Sequence, residues 1–166
     1  VMRKILLSLI AILAVTMSVS AQSTRYHGEV YVSGNFGVGN LPLNRFQLHT
    51  IQGARFGDLL SVGVGLGADA YAAEDFESWM FMVPVFADIK IYAPTKSKFF
   101  DPFVMLDLGY GVPVENPSTG GLMLGAGLGF KAGAFALSVG YHLQQIGSDS
   151  IFVNMGALQL KLGVAF

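Results

Sequence analysis

Hydrophobic and polar residues alternate along most of the chain, and the pattern is cleanest at its end. In residues 157–166, Leu158, Leu160, Leu162, Val164 and Phe166 share one side, while Gln159, Lys161, Gly163 and Ala165 share the other. A period of two places successive side chains on opposite faces of a β-strand. About ten residues, apolar at alternate positions, is also the length a tilted strand needs to cross a bilayer.

Seven earlier segments repeat the theme. Strands are expected at residues 26–38, 46–56, 60–71, 79–92, 103–111, 121–131 and 135–144. In the third, Leu60, Val62, Val64 and Leu66 oppose Ser61, Gly63, Gly65 and Gly67. In the sixth, Leu122, Leu124, Ala126, Leu128 and Phe130 oppose Met123, three glycines and Lys131. The second loses its phase after Thr50-Ile51, where a β-bulge would restore it. Pro84 removes one ladder donor from the fourth strand, so a bulge or local irregularity is expected there. The connections 39–44, 57–58, 73–78, 93–98, 113–120 and 145–152 carry the Gly, Pro, Asn and charged residues of turns and loops. Eight strands of ~11 residues with connections of ~2–8 residues use up the chain from about residue 22 onward.

Composition makes this alternation unusual. Hydrophobic residues are 52% and charged residues 13% of the 166, against roughly 25% charged in soluble domains. Beyond the start, no run is apolar for the ~18 positions of a membrane helix. Gly 21 and Phe 13 suit a glycine-rich β structure decorated with aromatics. With Cys 0 there is neither a disulfide nor a cysteine for lipid attachment, and a net charge of −1 offers nucleic acid no basic footprint.

The first 21 residues differ in kind. Arg3 and Lys4, the apolar core Ile5–Val15 and the small residues Val19-Ser20-Ala21 form the three parts of a secretory signal peptide. Cleavage after Ala21 leaves one domain, residues 22–166. An uncleaved anchor helix is the competing reading, and it would leave no polar cytosolic domain behind.

Alternation alone fits two barrels, one with its apolar face toward lipid and one with that face around a soluble ligand pocket. The other face decides between them. It carries mostly Gly, Ser and Asn with about one charge per strand, which suits a crowded narrow interior rather than an aqueous surface. The apolar face is nearly free of charge, as lipid requires, since Lys or Arg at mid-bilayer costs ~2–4 kcal/mol. Tyr26, Phe36, Phe46, Trp79, Tyr92, Tyr110, Phe130, Phe135 and Phe166 lie mostly near strand ends, where interfacial girdles sit. The expected fold is all-β, an eight-stranded antiparallel up-and-down transmembrane barrel preceded by a signal peptide.

The inward face then collects Glu29, Asp69, Asp88 and Asp107 with Lys90, Lys131, Lys161 and His142, joined by His49 and Arg55 if the second strand keeps phase. Opposite charges in a narrow lumen must pair. They form either a salt-bridged plug or a proton or ion path, and the space inside eight strands favours the plug. Glycines at 63, 65, 67 and at 125, 127, 129 have period two, so they line strand faces rather than cradle phosphate. No metal-ligand spacing, nucleotide fingerprint or other cofactor signature is present.

The chain resembles the small eight-stranded outer-membrane β-barrels of Gram-negative bacteria, the OmpA/OmpX-like group. The resemblance rests on Thr50-Ile51-Gln52-Gly53, Val83-Pro84-Val85-Phe86-Ala87-Asp88 and the terminal strand ending in Phe166. It implies an outer-membrane location and outer-membrane lipid as surroundings. It also implies periplasmic chaperones and the barrel-assembly machinery as partners, with Phe166 as the assembly signal. By the usual topology both termini are periplasmic, and residues 39–44, 73–78, 113–120 and 145–152 are external, short and without a large apolar tip.

Some such barrels modify lipid A. Here the deacylase-type His-x-Ser pairing on a lipid-facing surface is missing, and Ser138 and His142 lie about 13 Å apart along one strand. The expected function is therefore structural or envelope-associated and non-catalytic. The alternatives are a lipid A-modifying enzyme and a soluble lipocalin-like binder. Ligand, physiological role, oligomeric state and any small conductance are not specified by the sequence.

Overall fold

The computed structural model describes residues 24–39, 42–72, 79–95, 100–148 and 151–166. The signal peptide expected at 1–21 and the acidic segment 73–78 lie outside the described residues. Eight strands follow in chain order: β1 Thr24–Val38, β2 Asn44–Phe56, β3 Leu60–Ala72, β4 Trp79–Tyr92, β5 Asp101–Pro113, β6 Gly121–Ala132, β7 Phe135–Ser148 and β8 Ile151–Ala165. Each pairs antiparallel with its neighbours, and β8 pairs with β1 to close the barrel. Closure leaves no unpaired edge, which hydrocarbon would not tolerate. A 3₁₀ turn at Pro117–Thr119 follows β5. Among the described residues no helix is long and apolar enough to cross a membrane.

The register sets the shape. From Gly28 the paired residues run through Gln52, Val64, Ala87, Leu108, Leu124, Leu143 and Gly156, then return to β1 at Val38, ten positions further along. A stagger of ten over eight strands tilts each strand by about 40° from the barrel axis. At one end, β6 and β7 join through Gly133-Ala134, where Gly133 has φ 61°. A two-residue hairpin needs that left-handed conformation, and glycine adopts it without a steric cost.

The two faces separate cleanly. Inward residues such as Glu29, Tyr31, Phe86, Lys90, Asp107 and Lys161 are buried, and outward residues such as Val32, Leu48, Val64, Leu108 and Leu162 are exposed. This is the reverse of a lipocalin-like barrel, so the soluble-binder alternative fails. Aromatics gather toward both ends of the outer wall. Phe100 stacks on Phe130, and Tyr26 meets Phe166, at the end that carries the termini. Phe46 stacks on Trp79 at the other end.

Two expectations need correction. There is no bulge at Thr50-Ile51, because β2 keeps one register with both neighbours from end to end. The pattern breaks there because Ile51 turns inward, against Tyr31 and Phe86, while Thr50 and Gln52 turn outward. The Tyr26 hydroxyl donates to Gln52 Oε1, and Gln52 Nε2 donates to Thr50 Oγ1 at 2.8 Å. These polar groups satisfy one another at the barrel wall.

Pro84 brings the expected local irregularity, in the form of a lapsed ladder rather than a bulge. It stays in register with Gly111 of β5, and the β3–β4 ladder lapses for two positions before resuming at Asp69 opposite Met82. Finally, the loop expected at Ile146–Phe152 is strand over its described residues, 146–148 and 151–152. β7 and β8 remain paired out to Ser148 and Ile151, and Ile151, Phe152 and Val153 are exposed.

Candidate functional site

The candidate site is the lumen. Among the described residues, eight charged side chains are buried there, the acids Glu29, Asp69, Asp88 and Asp107 and the bases Arg45, Arg55, Lys90 and Lys161. Their formal charges cancel. That balance lets a narrow interior hold them, since an unpaired buried charge is prohibitive.

The centre is a pair of bridges thrown across the barrel. Lys90 on β4 donates to Glu29 on β1 at 2.6 Å and to both oxygens of Asp88 at 2.7 and 2.8 Å. Lys161 on β8 donates to Asp107 on β5 at 2.5 Å. Each bridge joins strands three apart, so it crosses the interior rather than running along the wall. Asp88 and Asp107 face each other across the β4–β5 ladder and bring the two bridges side by side. The Tyr31 ring lies 5.4 Å from the Lys90 ammonium and 5.9 Å from that of Lys161, within cation–π range of both. His27 Nε2 stands 2.7 Å from the second oxygen of Glu29 and extends the network toward the terminal end.

Toward the other end, Asp69 holds a second cluster. It accepts from Gln47 at 2.7 Å and lies 2.7 Å from His49 Nε2. The Gln47 oxygen accepts from Ser33, Asn35 and Gln159, which draws β1, β2 and β8 together. Arg45 reaches His142 Nδ1 at 2.7 Å and the Met155 carbonyl at 2.9 Å, with its guanidinium 4.9 Å from the Tyr71 ring centre. An apolar cluster closes this end: Tyr71, Met82 and Met155, with Leu43, Met80 and Ile146 against it. At the terminal end Arg55 stacks 3.9 Å over Tyr92 and lies 3.6 Å from Asp101. Tyr92, Phe103 and Met105 fill the space beside it.

Of the residues singled out by alternation, Glu29, Asp88, Lys90, Asp107 and Lys161 form the central network, and Asp69 and His142 sit in the second region. Lys131 does not join them. It is half-buried at the terminal rim, opposite Asp101 in the β5–β6 ladder. Phe166 lies on the outer wall, its backbone paired with Gly28 and its ring 6.4 Å from Tyr26.

Sequence reading missed Arg45 and His27. Arg45 falls between the connection 39–44 and the strand expected from residue 46, although its alternation with Phe46, Gln47 and Leu48 places it inward. It also missed Gln47, Gln159 and Asn35 as a bonded set, because their partners come from distant strands. Among the described residues, no group of three or more His, Cys, Asp or Glu is placed to hold a metal ion.

Eight strands, closed antiparallel pairing, an apolar outer wall and a packed polar lumen define a small integral outer-membrane β-barrel. No protein-family model and no curated protein matches the sequence. The chain is similar in structure to Neisserial surface protein A, at 17% identity over 87% of this chain and 98% of that one, with a TM-score of 0.64. It is also similar to the outer-membrane enzyme PagL, at 9% identity over 82% of this chain and 98% of that one, with a TM-score of 0.63. The N-terminal β-barrel domain of Pseudomonas aeruginosa OprF matches at 16% identity over 87% of this chain and all of that one, with a TM-score of 0.51. At such identities the likeness is one of fold.

Proposed function

We propose that the protein is a structural component of the outer membrane whose lumen is a plug rather than a pore, and that it performs no catalysis. The observation that carries this reading is the pair of bridges across the lumen, Lys90 to Glu29 and Asp88, and Lys161 to Asp107. Together they hold four strands from inside and occupy the section an ion would need. Removing one partner would strand its neighbour, so the bridges resist opening.

The disposition of histidine supports the absence of catalysis. PagL is named as an enzyme, and an enzyme acting on membrane lipid needs its base where lipid can reach it. All three histidines of this chain, His27, His49 and His142, face the lumen and are buried. His142 is held by Arg45, and the Ser138 hydroxyl has no hydrogen-bond partner among the described residues. Chaperones and the assembly machinery, with Phe166 as the signal that the machinery reads, belong to the same proposal. A Phe166→Ala variant is then expected to reach the membrane in lower yield.

Planar-bilayer recording of the reconstituted protein is expected to show no steady open level. Sustained nanosiemens-scale steps would overturn the plug. Lipid A mass spectra are expected to be unchanged by deletion or overexpression, and a lost or added acyl chain would overturn the non-catalytic reading.

A further inference from the structure

The outer wall breaks its own rule in the middle of β2. By parity that strand turns Phe46, Leu48, Thr50, Gln52, Ala54 and Phe56 outward, so the two polar residues are the central pair of six. Tyrosines aside, the other outward amides and hydroxyls of the described strands, Thr24, Asn44, Gln145 and Asn154, lie toward strand ends.

The register gives the depth. On a strand tilted by about 40°, each residue climbs the barrel axis by about 2.5 Å, so Thr50 lies about 10 Å from Phe46 in one girdle. From Phe166 in the other girdle, the ladder passes through Gly28 to Gln52. Each such step climbs about 3 Å, which leaves Thr50 about 11 Å from Phe166. Thr50 thus sits near mid-height of an apolar band about 25 Å tall. Polar side chains at that depth are costly, and they mark functional positions.

Each member of the trio Tyr26, Gln52 and Thr50 has a partner, yet the trio does not use up Gln52. Its amide offers two protons and two lone pairs on Oε1. One of each is engaged, by Thr50 and by Tyr26. The remaining N–H and lone pair face hydrocarbon, which supplies neither donor nor acceptor. We propose that this patch is the docking surface for a second copy of the chain, Gln52 against Gln52.

Symmetry selects the occupant. Two barrels in one membrane stand the same way up, and a twofold axis along the membrane normal sets each residue opposite its own copy at the same depth. An amide with one free donor and one free acceptor is self-complementary, so the two copies of Gln52 exchange a reciprocal pair of hydrogen bonds. Hydrogen bonds of this kind drive association inside a bilayer, where apolar contact alone gains nothing over lipid. Exposed Val30, Val64 and Leu66 surround the pair and close the contact around it. Lipid head groups and ester carbonyls lie at the edges of the band and do not reach mid-height.

The chain has no cysteine of its own, so single cysteines report contact cleanly. The full barrel carrying Val30→Cys is oxidised with copper phenanthroline in phosphatidylcholine vesicles, alongside Leu128→Cys on the opposite wall. Val30→Cys is expected to give covalent dimer in at least about tenfold higher yield. Thr50→Val with Gln52→Leu should remove that excess while keeping the gel shift of a folded barrel. Equal yields at the two sites would mean random collision. An excess that persists in the apolar variant would mean a contact the amide does not make. Either result overturns the proposal. A second measurement leaves the wall untouched: energy transfer between donor- and acceptor-labelled Ser118→Cys barrels, joined at the 3₁₀ turn. Transfer should exceed that of randomly placed barrels and fall to it with the same two substitutions, and transfer at the random level from the start would also overturn the proposal.

Discussion

The lumen and the outer wall are built from the same strands, residue by residue in turn, and obey opposite rules. On β4, Lys90 and Asp88 point inward into a bonded network, while Ile89 and Ile91 point outward and are exposed. The lumen is held by specific partners at 2.5 to 2.8 Å. The wall needs only the absence of charge. A lumen residue is therefore defined by its neighbour, and a wall residue by its solvent. Substitutions should hurt for different reasons on the two faces.

The largest effect is expected in the lumen. Lys90→Met leaves Glu29 and Asp88 buried without their common cation, and denaturant unfolding in lipid should show a loss of about 3–5 kcal/mol. An unchanged midpoint would mean that the bridges are spectators. Next comes a charge on the wall. Leu108 lies halfway along the register path from Gly28 to Val38, so Leu108→Arg should cost about 2–4 kcal/mol in the same measurement. A negligible cost would show that the wall meets water there.

Neutralising the lumen cluster as a unit should sharpen the contrast. Lys90→Met combined with Glu29→Gln and Asp88→Asn is expected to recover more than half of the single-variant loss, and a thermodynamic cycle would report the coupling. Simple addition of the separate losses would deny that the three act together. The smallest effect belongs to the polar exception on the wall. Thr50→Val with Gln52→Leu trades a self-satisfied trio for apolar surface and should change stability by less than about 1 kcal/mol.

Face parity, strand number and the inward identity of seven of the eight chosen polar residues were legible in the sequence, because a half-buried strand writes its environment every second residue. Lys131 has inward parity too, but parity does not say how near the rim a residue lies. Ile51 and Gln52 exchange the apolar and polar roles, and only the packing of Ile51 against Tyr31 and Phe86 explains why. The partners were beyond reach. Lys90 meets Glu29 because the stagger of the sheet brings positions 61 residues apart to one height. Residues 145–148 read as a loop because their polarity hid a ladder that their own composition does not require.

The seam between β1 and β8 has a consequence for how the molecule forms. It pairs Glu29 with Ala165, nearly the full described length apart, so it is the last contact a growing sheet can make and carries the greatest loop-closure entropy. Until it forms, the edges of β1 and β8 have no hydrogen-bond partners that hydrocarbon could supply. A half-inserted, open intermediate is thus high in free energy. Crossing into the bilayer and joining first strand to last become one kinetic event.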